Sequence, residues 1–281
     1  MTKKKTPKKR KKRASPRRTG EHFATAPFTM SKSAVDSLPY QADATTAHFA
    51  FFHEKTLGAD GASISATLAA SCEADYQQLI ELFGGAVPKG IPFKVSVAPK
   101  VPGALHFGCS DTEIYVGPIK GAPTSSQGYP LLMVAEMVEV FEATINNGWN
   151  CGYSNGEGLS RVLACALHPA GELPNMVTAG KWLNDRSPVS GRRYNWVDNT
   201  NFTDTDDFSN GCSVLFLNWL NEIRPYSWEE IVAKGADTLA GVYAKVTNGA
   251  TDGWAQFKAF MDAKYPPGKP VTLTTDNPFR T

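Results

Sequence analysis

Residues 131–142 read LLMVAEMVEVFE, an apolar run holding Glu136, Glu139 and Glu142 at intervals of three. At 100° per residue the three glutamates fall on one side of a helix, with Ala135, Ala143 and Asn146 among them. Leu132, Met133, Val134, Met137, Val138, Val140, Phe141 and Ile145 take the rest of the circumference. A helix over 130–147 that is apolar almost all round belongs in a core. Its single polar stripe must meet solvent, a cleft or a cation. Charged stripes are usually a solvated face. A stripe that instead floors a cleft could bind a hard cation, or share protons at raised pKa as general acid and base.

Outward from this helix, the two directions differ. Upstream, AHFAFFHE reads as a strand and GASISATLAASCEADYQQLIELFGG as one long helix. PFKVSVAP alternates as a half-buried strand should, and GALHFGCS and TEIYVGP read as two more short strands. Residues before Thr46 read as loop. Downstream, helices are predicted over 157–168, 212–223, 228–247 (with a break near Gly235) and 253–264. SNGE at 154–157 and SWEE at 227–230 both fit the Ser-x-x-Glu capping box. The expectation is an α+β fold: an N-terminal α/β layer with a short mixed sheet, packed on a helical C-terminal half around a central buried helix. The corresponding divisions are a basic tail 1–21, an α/β subdomain 22–128, a helical subdomain 129–265 and an extension 266–281.

The stretch GWNCGYSNGEGLSRVLACAL at 148–167 carries the next acid, Glu157. As third residue after a Ser154 cap it would return a hydrogen bond to the cap, and it could pair with Arg161 one turn on. An α/β layer, a buried helix with AEMVE, and a following W…G…EG that opens another helix together resemble the zincin peptidases of the gluzincin type. The similarity is closest to the basic secretory protein peptidases, where H-E-x-x-H is followed by an EG helix. The resemblance implies that Glu136 stands at the general-base position, that Ala135 and Glu139 replace the two zinc-binding histidines, and that Glu157 is the third, acidic ligand. Ala135 supplies nothing, and Glu139 and Glu157 are oxygen ligands better suited to Ca, Mg or Mn than to zinc. Conventional catalytic zinc is therefore not expected. The functional expectation is a peptidase-like hydrolase with a degenerate zinc site, using Glu136, Glu139 and Glu157 with a non-zinc cation or without metal. The rival is a non-catalytic binding protein.

The remaining signals are weaker. The net charge of +2 conceals a basic tail, since Lys3, Lys4, Lys5, Lys8, Lys9, Arg10, Lys11, Lys12, Arg13, Arg17 and Arg18 face no acid within residues 1–20. Such a tail is expected to be disordered and to bind polyanions or nucleic acid, or to act as an address. No apolar run follows it as in a signal peptide and none is long enough to span a membrane, which favours an intracellular location. Cys72, Cys109, Cys151, Cys165 and Cys212 share no metal spacing and are expected to be free thiols, with one or two disulfides as the alternative. His106 borders the expected cleft, but a lone histidine is more often a surface residue. Asp204, Asp206 and Asp207 lack EF-hand spacing and read as an acidic loop capping a helix that starts near Cys212. Trp182 and Trp196 sit in loop-like sequence and could line a groove for a peptide or a sugar.

Overall fold

The computed structural model describes residues 20–22, 30–186 and 193–280. The basic residues of the tail lie outside this set. A mixed sheet has strand order β1 (Gly20–His22), β5 (Ala104–His106), β6 (Glu113–Val116), β4 (Phe93–Val97), β3 (Phe49–Glu54) and β2 (Tyr40–Thr45). Strands β3, β4 and β6 run parallel, β2 and β5 flank them antiparallel, and β1 pairs antiparallel with β5 and so runs in the direction of the central three. The alternation of apolar residues decides the faces. Phe49, Phe51, Phe93, Val95, Ile114 and Val116 point to the main core, while Leu105 and Tyr115 point to a smaller one shared with Val35 of α1 (Lys32–Asp36). Each buried Phe or Val contributes on the order of 1.5–3 kcal/mol.

The long helix expected after β3 is two helices, α2 (Gly58–Ala69) and α3 (Cys72–Leu82), broken at Ala70–Ser71. Residues 40–45, expected as loop, form β2 because their backbone completes the sheet beside β3. Helix α4 (Gly128–Ile145) is the expected central helix. Its start tolerates Pro130, whose missing N–H lies in the first turn, and Asn146 ends it in the left-handed conformation at φ 45°. It packs on α2, α3, β5 and β6 on one side and on α5 (Ser154–Leu167) on the other.

The second half is helical as expected. The chain passes through α6 (Ala179–Leu183) and α7 (Asp207–Asn218), which runs into a π turn at Trp219–Ile223. It continues through α8 (Trp228–Ala233), α9 (Leu239–Val246) and α10 (Gly253–Lys264). The break near Gly235 and the Ser227–Glu230 capping box are both present. One hydrophobic cluster runs from Phe49 to Phe279 and joins the two halves. Trp182 belongs to that core and lines no groove: it is fully buried, its indole N–H donates to the Tyr194 carbonyl, and its ring stacks on Phe257. Trp196 is half-buried against the same cluster. No helix among the described residues is long and apolar enough to cross a membrane.

Candidate functional site

The polar stripe of α4 faces neither solvent nor an open cleft. Glu136, Glu139 and Glu142 are all 0% exposed, as is Glu157 of α5. The two helices lie close enough to bury both acidic faces because Gly156 stands at their crossing. A Cβ there would overlap the Asn150 carbonyl and come 2.7 Å from Glu142 Oε2. Gly158 does the same for α7, where a Cβ would lie 2.6 Å from that of Ser213.

Glu157 does not complete a capping box. Tyr153 is the N-cap of α5, and the Ser154 hydroxyl bonds to Ser213 (2.6 Å) and the Trp196 carbonyl (3.1 Å) instead. The Glu157 carboxyl accepts the Gly152 N–H at 3.0 Å and lies in hydrogen-bond contact with the Glu139 carboxyl, which adds to the upward push on Glu157. The loop between the helices is pinned for this role. The Trp149 indole and Asn147 amide both donate to the Val232 carbonyl, and Asn155 ties Gly148 to Ala236.

His106 is fully buried, contrary to the surface reading. On β5 it alternates with Leu105, so it points with Ala104 toward α4. Its Nε2 lies 2.9 Å from Glu139 Oε2 and its Nδ1 3.9 Å from Glu136 Oε2. The other histidines described with side chains serve elsewhere, His48 with Glu73, His53 with Asp43 and His168 with Asp75. Arg161, one turn after Glu157, and Asp204, from the loop before α7, complete the cluster. Asp204 is thus part of a site, while Asp206 alone caps α7, which begins five residues before Cys212.

The cysteines depart from the expectation of free thiols. Cys109, exposed just after β5, is disulfide-bonded to half-buried Cys151 in the α4–α5 loop, and Cys72, Cys165 and Cys212 are free. Cys151 Sγ lies 3.0 Å from Glu139 Oε2 and 3.9 Å from His106 Nε2.

Electrostatics follow from burial. It pushes the Glu136 and Glu157 carboxyls well above the usual carboxylate range, with Glu139 and Asp204 adding to the effect and Arg161 opposing it. Glu142 is raised by burial and then by Glu139, and neither of its oxygens has a hydrogen-bond partner among the described residues. Five buried acids against Arg161 and His106 therefore hold protons or call for a cation.

Sequence reading thus located Glu136, Glu139 and Glu157, which do meet. It missed the role of His106, and it missed Cys151 and Asp204, which come from separate loops, while Arg161 is the i+4 partner of Glu157 that the spacing offered. The period-two alternation of GALHF was the one signal that placed His106 on the inner face. No family model, curated protein or solved structure matches the chain.

Proposed function

We propose that the chain is a peptidase-like hydrolase whose chemistry runs through the Glu136–Glu139–Glu157 cluster. The observation that carries this reading is the convergence of these three acids with His106 and Arg161. Apolar residues of similar volume would stabilise the core at least as well, so a cluster of perturbed acids is better explained by function than by packing. Glu136 is the group that takes a proton from water and returns it to the leaving amine. The Glu139–Glu157 pair holds the proton or charge that polarises the carbonyl, and Arg161 supplies positive charge to the developing oxyanion. The donor set also fits a divalent cation. Glu139 and Glu157 would hold it by oxygen and His106 by the imidazole nitrogen that Ala135 does not provide, and it would polarise the carbonyl and acidify bound water.

Glu136→Gln tests the reading. It is expected to abolish peptide hydrolysis, a loss of at least about 100-fold, while the fold survives. Equal turnover by Glu136→Gln and the parent on a peptide library would remove the hydrolase. The rival is a non-catalytic binding protein, favoured by Ala135 and by the complete burial of the cluster. Under either reading the tail of residues 1–20 is proposed to bind polyanions. Duplex DNA affinity that falls steeply with salt in the full chain, and is absent when residues 1–20 are removed, is the expected result.

A further inference from the structure

We propose that the Cys109–Cys151 disulfide gates a zinc-class metal site made of His106 Nε2, Glu139 Oε2 and Cys151 Sγ. This rests on the hydrolase reading only for its consequence; the binding itself stands on geometry. The three donor atoms lie 2.9, 3.0 and 3.9 Å apart. Tetrahedral zinc with ligand bonds of 2.0–2.3 Å needs separations of about 3.3–3.8 Å, so shifts of a few tenths of an ångström complete the site. Among the described residues this is the one group of three such side chains whose ligand atoms all fall within 4.8 Å of one another. Nitrogen, oxygen and thiolate sulfur together suit zinc, whereas two carboxylates alone do not. His106 Nδ1 is buried with no hydrogen-bond partner among the described residues, leaving the ring held through Nε2.

The disulfide withholds the third ligand, because a sulfur bonded to sulfur has no charge to donate. The asymmetry of the bridge shows how it opens. Cys109 is exposed and Cys151 faces the cluster. A dithiol reductant attacks the Cys109 sulfur as thiolate. The S–S bond breaks and Cys151 leaves as a thiolate already beside His106 and Glu139. The second thiol of the reductant then displaces Cys109, which leaves as a thiolate and is protonated, and the reductant becomes a cyclic disulfide. Two electrons pass from reductant to protein. Zinc then takes the Cys151 thiolate, or displaces its proton, with His106 and Glu139 as further ligands and a fourth position left for water.

The test compares oxidised and phosphine-reduced full-length protein, each loaded with Zn²⁺, desalted and measured for bound metal. The reduced protein is expected to retain about one Zn²⁺ per chain and the oxidised protein none. Cys109→Ser, which leaves Cys151 free, is expected to bind Zn²⁺ without reductant. His106→Ala is expected to lose the binding shown by the reduced protein. The wild-type comparison needs no variant to fold. Equal zinc retention by oxidised and reduced protein, or failure of folded Cys109→Ser to take up zinc, would overturn the gate. These outcomes are separable from the hydrolase reading, which falls with an active Glu136→Gln whatever the metal result.

Discussion

Glu157 shows how one side chain changes meaning between sequence and structure. By spacing it completes a helix cap; in the fold it is one half of a buried acid pair with Glu139. Glu157→Gln keeps an oxygen for the Gly152 N–H and removes one ionisable group. Between the ordinary carboxylate pKa and its raised folded value, the folded protein holds a proton that the unfolded chain has released, and this costs stability as pH rises. The variant is therefore expected to melt higher at pH 8, by on the order of 1–2 kcal/mol, and to match the parent at pH 4. The same gain at both values, or a loss at pH 8, would dismiss the acid pair. Gly156 makes the opposite point about a helix position. Propensity alone says that Gly156→Ala stabilises by about 1 kcal/mol. The overlap with Asn150 and the 2.7 Å approach to Glu142 reverse the sign, so a net loss of about 1–3 kcal/mol in urea unfolding is expected.

At the scale of elements, β5 is the strand on which the site depends. It carries His106, it leads to Cys109, and β1 pairs with its outer edge, Gly20 opposite His106. A chain lacking residues 1–29 leaves that edge open, and an open edge pairs with another copy. Size-exclusion elution that shifts toward dimer with concentration is expected for this chain, and a monomer at all concentrations would show that the edge is guarded otherwise. The central helix is a second case. Its apolar circumference gave away its burial, but periodicity describes one helix at a time. That its acidic stripe is buried too depends on α5 crossing it at a glycine.

For the whole molecule, the raised acids add up. Burial lifts Glu136, Glu142 and Glu157, and it lifts Glu172, together with neighbouring Asp276, to about 7. All four bind protons more tightly when folded, so stability is fully present below about pH 4.5 and falls as pH rises through each raised value. Glu113 works the other way: against a burial effect that raises it, hydrogen bonds from Lys32 and Lys94 lower it, and its contribution is lost only in acid. Oxidised, metal-free protein is thus expected to unfold at lower urea at pH 8 than at pH 5. Glu172→Gln should recover up to about 2 kcal/mol of that difference at pH 8 and nothing at pH 4. A urea midpoint independent of pH over this range would mean that the acids are not held neutral in the fold.

The sequence by itself determined the class of each half, the central helix, the end of the chain's last helix at Lys264 and the positions of Glu136, Glu139 and Glu157. These rest on local periodicity and capping, which a single segment carries. Only the tertiary structure decided that the acids are buried, that His106 and Asp204 join them, and that Cys109 reaches Cys151 across 42 residues. Those are contacts between segments remote in the chain, set by how the sheet edge, two helices and a loop pack. A pattern read along one segment holds no record of what another segment brings to it.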